Sequence, residues 1–227
     1  MDKNKSIIIV VLSLILFGLI VYGGFKMIKG DDVILNQDIV ATVNGVEILK
    51  TTYDTQLAAT IATLTTQGVD VNNAETKAQI ETNVLNDLIN NEVVNQAVVA
   101  SKLTVTAEEV EAQFQVLLTQ AGSPEAFATQ LTTANLTEEQ LRINIGKQLT
   151  VQKFLQQNID VTGITATDKE IEDLYNQTVA ASPEQTFPPL EEVKDQVSTQ
   201  VVLNKQQALI NDFVKTLRDK ATVELAK

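Results

Sequence analysis

IVATVNGVEI, residues 39–48, is two β-prone runs joined by an asparagine and a glycine. An Asn-Gly pair between such runs is the strongest short-range hairpin signal. Both central turn residues need positive φ, which asparagine and glycine adopt most readily. The pattern predicts a small hairpin with its turn at Asn44-Gly45. A lone two-stranded hairpin is marginal in water. The end of the chain offers a third strand, because Thr222-Val223-Glu224-Leu225 is again β-prone and is expected to pair with the hairpin.

Before the hairpin lies an acidic tether, GDDVILNQD at 30–38. Before that stand nineteen uncharged residues, Ile7 to Phe25. Nineteen helical residues rise about 28 Å, close to the ~30 Å hydrocarbon core of a bilayer. Lys3 and Lys5 precede the run, and Lys26 and Lys29 follow it. A cleaved leader needs a shorter apolar stretch and a small-x-small cleavage site, which Gly23-Gly24-Phe25-Lys26 does not supply. The run is therefore expected to be a retained N-terminal transmembrane helix. The lysines balance across it, so the positive-inside rule gives little bias. The simplest arrangement leaves the short head in the cytoplasm and the body outside. This divides the chain into an anchor at 1–29, a tether at 30–38 and a body at 39–227.

After the hairpin the pattern is helical almost throughout, so the expected class is mainly α with a small β-hairpin. Lys50 to about Gln67 reads as a first helix ended by Gly68. Ala74 to Lys102 reads as a long second one, with Leu85, Leu88, Ile89, Val93 and Ala97 at helical spacing. Thr106-x-x-Glu109, Thr137-x-x-Gln140 and Thr167-x-x-Glu170 are three capping boxes. In each, the threonine hydroxyl accepts from the third backbone N–H of the helix and the third side chain reaches back to the cap. Ser123-Pro124-Glu125 is a fourth start, with proline at the first helical position. These starts predict helices over 107–121, 124–134, 138–158 and 168–181. Pro183, Pro188 and Pro189 break the chain, and Leu190 opens a returning helix to about Lys220, roughly 45 Å long. Val193, Val197, Val201 and Phe213 are expected in a core between that helix and the N-terminal helices at 50–181.

From residue 33 onward the chain carries 13 basic against 26 acidic side chains, about −13. Such a surface repels nucleic acid, so no polynucleotide partner is expected. The chain has no cysteine and no histidine. That removes disulfides, thiolate catalysis and the commonest general base and metal ligand. None of the six serines sits in an elbow motif. The paired carboxylates Glu108-Glu109, Glu138-Glu139 and Glu191-Glu192 all fall in first helical turns, where they complement the positive helix end. No catalytic residue, cofactor or metal ligand is indicated, and an enzyme is not expected. What remains is a set of amphipathic helices. Tyr53, Phe114, Leu118, Phe127, Leu131 and Phe154 are candidates to line a peptide-binding groove, against the plainer reading that they pack a core.

The order of parts resembles a known group. The hairpin at 40–48 is followed by Tyr53, LNDLINNEVV at 85–94, LTVTAEEVEAQF at 103–114, SPEAF at 123–127, LTEEQLRINI at 136–145, ATDKEIEDLY at 166–175 and FPPLEEVKDQV at 187–197. This is similar to the SurA/PrsA/PpiD group of bacterial extracytoplasmic folding factors, from about residue 39 to the end. Members of that group usually carry a parvulin-type prolyl isomerase domain of roughly ninety residues before the Leu-Glu-Glu-Val-Lys segment. Here only fourteen residues separate Tyr175 from Leu190, and the histidines of parvulin sites are absent. The resemblance therefore implies the chaperone module without its isomerase, a cradle in which N-terminal helices and the last long helix pack together around unfolded clients. It also implies a single N-terminal membrane helix with the body outside the cytoplasm.

The expectation is a membrane-anchored, ATP-independent holdase for unfolded or translocated polypeptides. Two alternatives stand beside it: an isomerase-related protein with residual activity, and a membrane-tethered structural adaptor.

Overall fold

In this computed structural model, residues 38–226 are described. The expected membrane helix at 7–25, and the tether except for Asp38, lie outside the described residues. Among those described, no helix is long and apolar enough to cross a membrane.

The elements follow in the order β1 (Ile39–Val43), β2 (Val46–Leu49), α1 (Lys50–Thr66), α2 (Ala74–Ser101), α3 (Ala107–Gln120), α4 (Pro124–Thr133), α5 (Glu138–Asn158), α6 (Asp168–Ala181), α7 (Leu190–Asp219) and β3 (Val223–Leu225). Several helices end one residue earlier than the sequence pattern indicates, because Gln67, Lys102, Ala121 and Ala134 are their C-caps. The described chain divides into two compact units. One comprises the described residues up to Val151 with those from Val214 onward; the other is Gln152–Phe213.

In the first unit, the sheet has the order β2-β1-β3, with β1 antiparallel to both neighbours. Asn44 and Gly45 both have positive φ, 51° and 83°, as the hairpin turn requires. The expected pairing of the tail is present: Val43 faces Val223, Thr42 faces Glu224 and Ala41 faces Leu225. Asn44 also ties three elements together. Its backbone N–H donates to the Thr222 carbonyl at 2.8 Å, and its side-chain oxygen accepts from the Thr222 N–H at 2.8 Å. Its amide donates to Gln96 of α2 at 2.7 Å, and Gln96 in turn donates to the Val43 carbonyl at 2.9 Å.

Strand alternation turns Ala41 and Val43 inward, 1% and 0% exposed. They meet Ile48 and the stripe of α2 formed by Ile80, Val84, Leu88, Ile89 and Val93. Tyr53, Leu57, Ile61 and Leu64 of α1 recur at helical spacing and cover the same core. The last turn of α7 closes it. Leu217 packs on the core, and Arg218 forks onto Asn90 at 3.1 Å and Asn86 at 2.9 Å, one turn apart on α2. The returning helix therefore does pack on an N-terminal helix, through its final turn.

The same unit holds a second cluster, Phe114, Phe127, Leu141 and Ile145, on α3, α4 and α5. All three threonine capping boxes form as read from the sequence, and Ser123 caps α4.

The second unit, Gln152–Phe213, buries Phe154, Leu155, Ile159, Ile171, Val201 and Ile210. The rings of Phe154 and Phe213 lie 5.8 Å apart between centroids. Lys205 joins α7 to the start of α6: it reaches Glu170 at 2.6 Å and the Thr165 carbonyl at 3.0 Å. Lys194 bridges to Asp168 at 2.7 Å. Of the four residues expected in the core of the returning helix, Val201 alone is buried. Val193, Val197 and Phe213 are half-buried. The reason for the two valines is that α6 and the 182–189 connection leave one side of that helical stripe open.

Candidate peptide-binding cleft

The sequence candidates separate into three places. Tyr53 is half-buried on α1, against the sheet and α2, and its hydroxyl donates to the Glu81 carbonyl at a long 3.4 Å. Burial, reinforced by Glu81 and Asp54, raises its pKa. Phe114, Leu118, Phe127 and Leu131 do come together. The two phenylalanine rings meet edge to face, 5.3 Å apart and at 89°, and the two leucines pack against their cluster. The Arg142 guanidinium lies 3.7 Å from the Phe114 ring centroid and pairs with Glu111 and Glu138, each at 3.0 Å. The rings of Phe114 and Phe127 are 3% and 6% exposed, so they face each other and their neighbours. Phe154 belongs to the second unit and is buried there against Phe213.

An accessible apolar recess lies elsewhere, in the second unit. An open cleft of about 350 Å³ runs between α6, the 182–189 connection and the first half of α7. The two helices supply Leu174, Tyr175, Thr178, Val193, Gln196, Val197 and Gln200, and the connection supplies Phe187 and Pro188. The apolar side chains Leu174, Tyr175, Phe187, Val193 and Val197 are all half-buried. Spacing by three and four residues puts Leu174 and Thr178 on one face of α6, and Val193, Gln196, Val197 and Gln200 on one face of α7. The prolines end the helical run and turn the chain, which brings Phe187 across the top. The Tyr175 hydroxyl donates to the Pro188 carbonyl at 2.7 Å and holds the connection over the cleft.

Charges lock the frame and stay out of the cleft itself. Lys194 holds the Asp168 carboxyl below its ordinary range, and Asp168 holds the Lys194 ammonium above its own. Lys205, with the Thr167 cap, brings Glu170 down to about 2. The cleft's polar side chains are neutral: the amides of Gln196 and Gln200, the Thr178 hydroxyl and the Tyr175 hydroxyl that is bound to Pro188. Side-chain amides both donate and accept, so this lining can hold an apolar side chain and hydrogen-bond the backbone that carries it. Among the described residues, no three acidic side chains are grouped to hold a metal ion.

None of the sequence candidates lines this cleft. Two signals marked it. Phe187 stands beside a proline pair, in a connection too short to bury it. Glutamines at 196 and 200 occupy positions where a closed stripe would carry aliphatic residues.

Three comparisons bear on kinship. The family model described as a SurA-like N-terminal domain matches residues 1–155. A solved structure matches with a TM-score of 0.51 at 16% identity, over 83% of this chain and 99% of that one. It belongs to work describing the virulence factor PEB4 and the periplasmic protein Cj1289 as two structurally related SurA-like chaperones in Campylobacter jejuni. No curated protein matches the sequence. The structural likeness carries the fold alone, and the fold is that of SurA-like chaperones. With its family model spanning well over half of the residues, this chain belongs to the SurA-like N-terminal domain family.

Proposed function

We propose that this protein is a holdase that binds unfolded polypeptide segments and releases them without a nucleotide cycle. The observation that carries the proposal is the open cleft, in a chain of this family. Five apolar side chains stand half-buried around a space lined by neutral hydrogen-bonding groups. That combination suits an extended segment, whose alternate side chains need an apolar floor and whose backbone needs donors and acceptors. The apolar run at 7–25 supports a membrane tether, with the body outside the cytoplasm. The short 182–189 connection, together with the lack of histidine, supports binding without isomerase chemistry.

The test uses the full chain in lipid nanodiscs. It should suppress aggregation of a chemically unfolded client at near-stoichiometric ratios. Phe187→Ser, which removes the ring over the cleft, should weaken that protection while α6 and α7 stay folded. Absence of any protection by the parent protein refutes the proposal. Undiminished protection by the variant refutes the cleft as the site.

A further inference from the structure

The cleft is apolar, but its surroundings are acidic. Residues 152–213 carry ten acidic and four basic side chains. Lys169 pairs with Asp173, Lys194 with Asp168 and Lys205 with Glu170. Glu184 lies in the connection that carries Phe187, and Glu191 and Glu192 stand in the first turn of α7. Glu192 is one helical turn from Gln196, on the cleft side. All three are exposed, and Lys194, whose ammonium sits on Asp168, is reached by Glu191 only through its longer-range field. Glu191 and Glu192 complement the positive end of α7, a role that needs their charge but no cation.

Resting on the reading of this cleft as the client site, we infer that it selects segments in which a large apolar residue is flanked by lysine or arginine. The apolar residue would sit against Leu174, Phe187, Val193 and Val197. The flanking cations would lie near Glu184, Glu191 and Glu192. Segments flanked by acidic residues would be disfavoured by the same field. The occupant is a basic-flanked stretch of another polypeptide.

Three peptides with one shared apolar centre, flanked by serine, lysine or glutamate, decide the matter. Fluorescence anisotropy is read against the full chain in nanodiscs of zwitterionic lipid, so that lysine finds no anionic headgroup. Each lysine should tighten binding about twofold at low salt, as an exposed ion pair does. The preference should vanish at about 1 M salt, where the Debye length falls to roughly 3 Å. Glu184→Gln, Glu191→Gln and Glu192→Gln combined should erase the preference and leave the serine-flanked peptide's affinity unchanged. Equal binding of the serine and lysine peptides overturns the inference but keeps the cleft, as does a lysine preference that survives the triple variant. If none of the three peptides binds, the cleft reading falls and takes the inference with it.

Discussion

Val197 and Val201 lie one turn apart on α7, yet aspartate at the two positions should behave differently. Val201 is 6% exposed and enclosed in the second unit. Val201→Asp loses the burial of an aliphatic side chain, about 1.5–2 kcal/mol. It also strands a carboxylate with no partner, so the whole change reaches about 3–5 kcal/mol. Val197 is half-buried at the floor of an open cleft. A carboxylate there reaches water, and the loss is confined to apolar contact, about 1–2 kcal/mol. Amide hydrogen exchange along α6 and α7 reads these values locally, which suits a chain of two units better than one global melting point. At about 1.4 kcal/mol per tenfold, Val201→Asp should accelerate exchange of protected amides by about two to three and a half decades, and Val197→Asp by about one. If the two variants lose protection equally, the stripe is a closed core and the cleft is not an open surface.

Arg218→Ala removes both hydrogen bonds to Asn86 and Asn90. It should cost about 1.5–3 kcal/mol in the first unit, read as faster exchange in β3 and the middle of α2; Arg218→Lys should recover little, because an ammonium lacks the fork. Glu170 has its folded pKa lowered from the ordinary 4.5 to about 2 by Lys205 and the Thr167 cap. A depressed carboxyl contributes stability above its unfolded pKa and loses it as pH falls from about 4.5 through about 2; Glu170→Gln should therefore flatten the acid limb of a denaturation midpoint-against-pH curve in that window, and an unchanged limb refutes the assignment. The Gln206 side-chain oxygen is buried with no hydrogen-bond partner among the described residues. Gln206→Met should raise stability by about 1 kcal/mol, seen as a higher denaturant midpoint at constant slope.

The legible parts of this fold were those whose chemistry is local. Asn44-Gly45 announces a turn because few other pairs accept positive φ twice. Thr106, Thr137 and Thr167 announce helix starts because the cap needs only a partner three residues away. The proline cluster at 183–189 announces a break for the same reason. Links between distant residues left no such mark. Asn44 meets Gln96 across 52 positions and Arg218 meets Asn86 across 132, and polar residues of this kind are common on any helix surface. The site was obscured by a different degeneracy. Val193, Val197 and Val201 form one uniform stripe, and helical periodicity gives the face without saying where its covering partner stops. Phe114, Phe127 and Phe154 are as large as Phe187, and the helical pattern does not tell which of these rings the core covers and which it leaves in the cleft. A surface able to receive a client must be built from what the core leaves half-covered, here Tyr175, Phe187 and two valines.

The size of the cleft bears on how such a protein could release its cargo. A space of about 350 Å³ admits only one or two large side chains of a client. Each fully buried apolar side chain contributes about 1.5–3 kcal/mol. Two together barely exceed the several kcal/mol lost in immobilising a flexible segment. A single engagement is thus expected to be weak, in the high micromolar range or weaker. Weakness at one site is compatible with holding a long unfolded chain. Such a chain offers many segments, so a departing one is replaced from a high local concentration. Once the client folds, its apolar residues are withdrawn and the replacement stops. Release then follows from folding of the client, and no nucleotide is needed. Affinity should therefore rise steeply with the number of apolar segments in a peptide. Tandem peptides with one, two and three copies of the same segment measure this directly, and equal affinity for all three would remove the basis of the argument.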